Sequence, residues 1–248
     1  LADGTDGGGS IRTPAAANGV FGYKPPFGRN PLDVGVALED FVSYGPITRS
    51  VADAALMQNV TSGRHADDIC SLRNKLRLPD SFEGIKGWRI AFSMDLGYFE
   101  IDPVLQKNTL AALDIFRGLG CEVHEVDIDW DLSVLDVFTT HWECMMAASF
   151  ADKLPRWRYE FDPWVTAIIE RGMRHDAARG YRLKQTRGEM YRRIEPILEH
   201  YDILLCPTTA IPAIAPNHDH EDPDFRINGK IVSPAIQMFL TYPFNLLG

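Results

Sequence analysis

The run Gly4-Thr5-Asp6-Gly7-Gly8-Gly9-Ser10-Ile11-Arg12 sets a serine directly behind three consecutive glycines. Glycine lacks a Cβ, so it can turn backbone N–H groups inward at dihedral angles that other residues avoid. Successive N–H groups that converge make a small anion-binding concavity. A serine beside such a concavity brings an attacking oxygen together with donors placed where negative charge grows on a carbonyl under attack. Two other chemistries fit parts of the run. An isolated G-G-G-S most often marks a glycine-rich turn that ends in an exposed serine. A phosphate cradle wants a lysine followed by Ser or Thr after its last glycine, whereas Ile11 and Arg12 follow Ser10. Downstream residues predict a short helix, with Thr13 suited to the N-cap, Pro14 to the first helical position and Gly19 to the stop. Ser10 would stand just ahead of that helix, whose positive end favours a developing oxyanion.

Gly4-Thr5-Asp6, Gly8-Gly9-Ser10-Ile11-Arg12 and Pro14-Ala15, followed by Gly19, Gly22 and Lys24-Pro25, resemble the second half of the amidase signature. That family contains serine amidases, fatty-acid amide hydrolases and the glutamine-hydrolysing A subunit of tRNA-dependent amidotransferases. Gly45-Pro46-Ile47-Thr48-Arg49-Ser50-Val51-Ala52-Asp53 is similar to the family's G-P-[hydrophobic]-x-R-[ST]-V-x-D segment. Asp202-Ile203-Leu204-Leu205-Cys206-Pro207-Thr208 resembles its D-x-L-L-x-P-T strand, and Pro243-Phe244-Asn245 the start of a late core strand. The resemblance runs from the first residues to the last.

It implies an α/β fold with a mixed β-sheet core flanked by helices. It also implies a mechanism in which a neutral lysine works through a serine on a cis peptide to deprotonate a second serine, which attacks an amide carbonyl. Ser10 matches the attacking serine. Gly7, Gly8 and Gly9 match the loop whose N–H groups hold the oxyanion. Asp6 and Arg12 flank the nucleophile and are expected to pair and hold the loop; an ordinary surface ion pair, worth about 0–1 kcal/mol, is the plainer alternative. In the family the lysine and the bridging serine lie N-terminal to the G-T-D motif, and here Leu1 stands only a few residues before it. Lys24 matches a different position, in G-x-K-P. The expectation is therefore one α/β domain over residues 1–248, incomplete at both ends, that holds the nucleophile without its base. Alone it should lack appreciable amidase activity and expose strand edges and apolar surface.

The bulk properties suit a cytoplasmic enzyme. The chain has 248 residues, 45% hydrophobic and 24% charged, enough to bury a sizeable core. A net charge of −9 argues against nucleic acid as a partner, because such binding needs basic surface. Cys70, Cys121, Cys144 and Cys206 show no C-x-x-C spacing and are expected as reduced thiols. No apolar run approaches the ~20 residues that span a bilayer. A small-molecule amide is the expected partner, and a homodimer is one allowed assembly.

Elements alternate. Helices are predicted over 50–60, where Ser50 and Asp53 form a capping-box-like pair, and over 102–119, where Pro103 starts the helix and Leu105, Ala112, Phe116 and Leu119 share a face. Strands are predicted over 88–93 and 121–128, which makes a βαβ crossover. Residues 132–151 and 163–200 read as helical, with breaks near Pro155, Pro163 and Gly180. The arginines of the second stretch, Arg171 to Arg193, read as a solvated face. Residues 201–206 read as a buried strand.

Two further groups could carry chemistry. His218-Asp219-His220-Glu221-Asp222 holds potential metal ligands, but it sits between Pro216 and Pro223 in polar, turn-rich surroundings. A solvated acidic loop is expected there, with no metal and no cofactor; in the resemblance, loops after the P-T strand also help wall the acyl pocket. The aromatic residues Trp157, Tyr159, Phe161 and Trp164 are expected in core or lid packing, with an aromatic-lined acyl pocket as the alternative. The function expected is hydrolysis of a carboxylic amide through an acyl-Ser10 enzyme. Two alternatives stand beside it: the glutamine-hydrolysing component of an amidotransferase, or a catalytically inactive relative that acts as a scaffold.

Overall fold

The computed structural model describes residues 1–32 and 39–248. The chain opens with β1 (Ala2–Asp6), α1 (Arg12–Ala17), β2 (Phe21–Gly22), β3 (Ser43–Thr48) and α2 (Val51–Thr61). β4 (Arg89–Phe92), α3 (Pro103–Gly118) and β5 (Glu122–Glu125) follow, and then the helices α4 (Ser133–Phe150), α5 (Leu154–Trp157), α6 (Pro163–Gly172) and α7 (Ala177–His200). β6 (Ile203–Leu205), the small pair β7 (Arg226–Ile227) and β8 (Lys230–Ile231), and α8 (Tyr242–Leu247) complete the order.

The fold is α/β, and its two kinds of strand pairing occupy separate sheets. β3 lies between β1 and β2, antiparallel to both, with Ala2 opposite Ile47 and Asp6 opposite Ser43. β4 lies between β5 and β6, parallel to both. The predicted crossover is thus realised as β4–α3–β5. β6, expected to be buried, is a half-buried edge strand.

Local chemistry explains where the helices start. Ser50 caps α2: its Oγ accepts from the Asp53 N–H at 3.2 Å and donates to the Asp53 carboxylate at 2.8 Å. Asp102-Pro103 and Asp162-Pro163 open α3 and α6 in the same way, with the carboxylate accepting the N–H two residues on and proline filling the first helical position. The face predicted for α3 is shifted, since Leu113 is its buried residue while Ala112 and Leu119 are exposed. The break expected at Gly180 falls earlier: α6 ends at Gly172, and Asp176 caps α7 by accepting from the Arg179 N–H. Pro243-Phe244-Asn245, expected to begin a strand, lies in α8.

The main core gathers Leu96, Ile128, Trp130, Phe138, Ile194 and Tyr242 among its members, under α4, α7 and α8. α4 also packs closely on α6. Elsewhere apolar side chains face outward, as with Leu56 and Val60 of α2, 67% and 72% exposed. No helix among the described residues is long and apolar enough to cross a membrane.

Two glycines test the packing. A Cβ on Gly172 would lie 2.0 Å from the Glu143 carbonyl oxygen of α4, whereas one on Gly180 meets nothing within 4 Å. Gly172→Ala is expected to cost at least about 2 kcal/mol through overpacking. Gly180→Ala is expected to stabilise by up to about 1 kcal/mol through helix propensity. Urea denaturation of the two variants checks both signs.

Candidate active site

Asp6 is the last residue of β1 and fully buried. An isolated carboxylate there would be costly, so its partners matter. Arg12 holds it with two bonds, from Nε to Oδ2 at 2.9 Å and from Nη2 to Oδ1 at 2.8 Å. The backbone N–H groups of Ile11 and Arg12 also donate to Oδ2, at 3.2 and 3.4 Å. These are the free donors at the start of α1, so Asp6 serves as that helix's cap from five residues upstream. Thr13, the expected cap, lies inside the helix, and its Oγ1 is buried without a hydrogen-bond partner among the described residues. Gly19 does stop the turn, at φ +63°.

From α8 and the residue before it, a second set of bonds closes on the same loop. Asn245 Nδ2 donates to the Asp6 carbonyl and to Oδ1, each at 2.9 Å, and to the Phe41 carbonyl at 3.0 Å. Arg12 Nη1 donates to the Thr241 carbonyl at 3.0 Å, and Nη2 donates to Asn245 Oδ1. The Thr241 hydroxyl donates to the Gly8 carbonyl at 2.6 Å. Asp6 and Arg12 are therefore a buried, networked pair rather than a surface one.

Gly7, Gly8, Gly9 and Ser10 form the loop that this network brackets. A Cβ on Gly8 would meet the Phe138 ring at 2.6 Å, and one on Gly9 would meet Thr241 Oγ1 at 2.2 Å, with φ at +137° besides. The peptides are trans, so each N–H points opposite to the carbonyl of the preceding residue. The Gly8 carbonyl is held by Thr241 and the Gly9 carbonyl by the Thr13 N–H at 2.7 Å. The N–H groups of Gly9 and Ser10 are thereby turned away from those contacts. Among the described residues, none of the N–H groups from Gly7 to Ser10 donates a hydrogen bond within the chain.

Ser10 is exposed and, with Gly7, Gly8 and Gly9, lines a cavity of about 580 Å³. Much of the rest of the wall is aromatic. His220 stacks on Trp164 with ring centroids 4.8 Å apart, Trp164 contacts Trp142 at 5.4 Å, Trp142 stacks on Phe138 at 6.1 Å, and Phe138 meets Tyr242 at 4.8 Å. All five line the cavity, and among the described residues no lining residue carries a fixed charge. Burial pushes the Tyr242 phenol well above its ordinary range, so it stays protonated. Its hydroxyl accepts from Tyr98 at 2.7 Å.

Lys24 points elsewhere. Its Nζ donates to Ser43 Oγ and the Pro25 carbonyl, each at 3.2 Å, in a second cavity of about 490 Å³ that it shares with Arg12. Burial, and then the Arg12 charge, pull its ammonium down to about 8 against the opposing pull of Asp6. In the His218–Asp222 segment Asp219 and Glu221 are exposed, as expected of a solvated acidic loop, whereas His218 and His220 are half-buried with rings 5.1 Å apart. Among the described residues no three His, Cys, Asp or Glu side chains converge as metal ligands. Of the aromatic group named from the sequence only Trp164 reaches the cavity; Tyr159 is 97% exposed, and Phe161 packs on Phe150. Phe138, Trp142 and Tyr242 carried no local signal, since helical spacing reads the same for a core face and a cavity wall. Arg187 departs from the solvated arginine face, with its guanidinium bonded to Asp40 and to the Leu246 carbonyl.

The buried pair sets a pH dependence. Burial alone would raise the Asp6 carboxyl, but the hydrogen bonds and charge of Arg12, with Asn245 and the Ile11 N–H, outweigh it and hold the group below its ordinary 3.8. A depressed carboxyl contributes stability that is present above 3.8 and lost as pH falls through the lower folded value. Asp6→Asn is expected to cost about 3–5 kcal/mol near neutrality, because it leaves Arg12 half-buried and unpaired. The gap from wild type should narrow only below pH 3.8. Denaturant titrations from pH 7 to pH 2.5 follow both.

The profile of the Amidase family matches residues 1–248. The chain is 30% identical over 253 aligned residues to an acylamidase of Rhodococcus erythropolis, covering 100% of this chain and 52% of that protein. It is 28% identical over 243 residues to an amidase of Pseudomonas putida, covering 94% of this chain and 51% of that protein. A glutamyl-tRNA(Gln) amidotransferase component of Cenarchaeum symbiosum is also 28% identical, over 240 residues, covering 84% of this chain and 49% of that protein. The solved structure of a bacterial aryl acylamidase of the amidase signature family superposes with a TM-score of 0.87 at 27% identity, over 99% of this chain and 53% of the other. The chain thus spans about half the length of the relatives it matches. With the glycine–serine loop, its buried Asp6–Arg12 brace and a profile matched from end to end, the chain belongs to the amidase family.

Proposed function

We propose that this chain carries the nucleophile and acyl-binding part of an enzyme that hydrolyses carboxylic amides. The Ser10 hydroxyl gives up its proton to a base and its oxygen bonds to the amide carbonyl carbon. The carbonyl oxygen then carries the charge, and N–H groups of the Gly7–Gly8–Gly9 loop are the donors for it. Collapse breaks the C–N bond, the amine leaves with a proton, and water releases the acid from Ser10. The observation that carries this reading is the exposed serine on a loop whose N–H groups are uncommitted and whose carbonyls are pinned, opening on a large apolar cavity.

No cavity-lining side chain is a lysine, and Lys24 is engaged in a different cavity. The family resemblance supplies the base from a lysine acting through a bridging serine, and neither is matched by a residue within 1–248. No cofactor enters the reaction. The aromatic wall favours an amide with an apolar or aryl group over glutamine, whose charged α-amino and α-carboxylate groups would meet no counter-charge among the described residues of the cavity. Four free cysteines and the acidic composition support a cytoplasmic setting.

A fluorophosphonate probe applied to the full-length parent protein tests the nucleophile. Labelling is expected on the peptide that contains Ser10 and should vanish in Ser10→Ala. Turnover of an aryl amide should fall by at least about 10³-fold in that variant. Labelling on another serine, or unchanged turnover in Ser10→Ala, would overturn the assignment.

A further inference from the structure

His220 is the polar member of the aromatic wall, and its two ring nitrogens are placed differently. Nδ1 is enclosed and has no hydrogen-bond partner among the described residues. The ring is fixed on both sides, stacked on Trp164 at 27° between planes and met edge-on by His218. His218 is itself tied down through Nε2 to the Pro234 carbonyl at 2.7 Å. The stack on Trp164 fixes the plane of the ring.

This enclosure selects a tautomer. A neutral imidazole carries one N–H, and the nitrogen without it is an acceptor. Buried N–H groups without partners are rarer than buried acceptors without partners, because an orphaned donor is the costlier of the two. For the ring as oriented in the structure, the Nε2–H tautomer is the one that leaves no orphaned donor at the buried Nδ1. His220 then offers the cavity a donor, on a wall otherwise built from Phe138, Trp142, Trp164 and Tyr242. A donor on an apolar wall discriminates more sharply than the wall itself, since a ligand lacking the acceptor leaves it unpaired. The ring also borders a smaller, more polar chamber of about 190 Å³, with Arg171, Glu143 and Glu221, which shares Trp142 and Trp164 with the main cavity. His220 thus stands where the apolar wall ends and polar surroundings begin.

We propose that His220 is a specificity-determining residue whose Nε2–H reads a hydrogen-bond acceptor on the part of the substrate lying along the aromatic wall. The substrate class that follows is a planar aryl amide that bears a carbonyl or similar acceptor on its ring. This rests on the cavity being the acyl-binding site of the proposed reaction, and its test does not need turnover.

The probes are 3- and 4-acetylbenzamide and their 3- and 4-isopropenyl isosteres, which keep the planar shape and lose the acceptor. Dissociation constants are measured by calorimetry in the Ser10→Ala background of the full-length parent protein, where the probe amides are not hydrolysed. At least one acetyl isomer is expected to bind about three- to tenfold tighter than its isostere, the range of one net hydrogen bond. In that background His220→Phe should keep the stack, bind the isopropenyl compound as the protein with His220 does and lose the preference. His220→Gln, which retains a donor, should keep part of it. An equal preference in His220→Phe, no preference with His220 in place, or no binding of either probe would overturn the proposal. If the Phe variant does not fold, nitrogen NMR of the wild-type ring decides: an Nε2–H tautomer supports the proposal and an Nδ1–H tautomer overturns it. Absence of the preference, with Ser10 of the wild type labelled by fluorophosphonate, would sink the His220 proposal alone. An intact preference without labelling would sink the nucleophile alone.

Discussion

A buried carboxylate organises the active region. Asp6 ends a strand, caps the helix that starts after the glycine loop, and takes both arms of the Arg12 guanidinium. Two bonds from a planar fork fix orientation as well as distance, which a lysine at position 12 could not do. Because Asp6 and Arg12 bracket residues 7–11, fixing one to the other fixes the ends of the loop. The loop can then hold dihedral angles that no side chain would tolerate, as Gly9 shows at φ +137°. Conformational freedom in the glycines is useful only because the brace removes it in the folded state.

The brace does not act alone. Asn245 bonds Asp6 through both its carboxylate and its carbonyl, and Arg12 returns a bond to the Thr241 carbonyl. Thr241 also pins the Gly8 carbonyl. Residues more than two hundred positions apart in sequence are thus joined by a set of charged and neutral hydrogen bonds in a buried place, where leaving any one group unpaired is costly. Such networks specify one arrangement more than they add stability, since each member has a single geometry that satisfies all its partners.

Parts of this were legible in the sequence. The glycines, Ser10, Asp6 and Arg12 lie within nine residues, so their association is local and spacing reveals it. The Asp102-Pro103 start of α3 and the β4–α3–β5 crossover were legible for the same reason: caps, proline and turn residues act over one or two turns. The start of α1 was not, because the group that caps it comes from Asp6 rather than from the flanking Thr13. Nor was the half-burial of His218 and His220, whose proline and acidic neighbours read as a solvated loop. In both cases tertiary contacts overrode the local signal. The aromatic wall was hidden differently, since Phe138 and Trp142 on α4 fit core packing as well as they fit a cavity.

One short helix joins the two halves of the site. Tyr242 and Asn245 lie three residues apart in α8, close enough to share a side of it. Tyr242 reaches the aromatic wall and Asn245 reaches Asp6, while Leu246 anchors the same turn in the core. The wall that receives a ligand and the loop that holds the serine therefore rest on the same support. A shift of α8 would move both together, keeping their relative position while changing how each meets its other neighbours. Tyr242 is thus one fixed point of the wall, set on the same turn whose Asn245 holds the loop. That economy of support explains why so many buried hydrogen bonds converge on residues 241–245, a segment that itself contributes no attacking group.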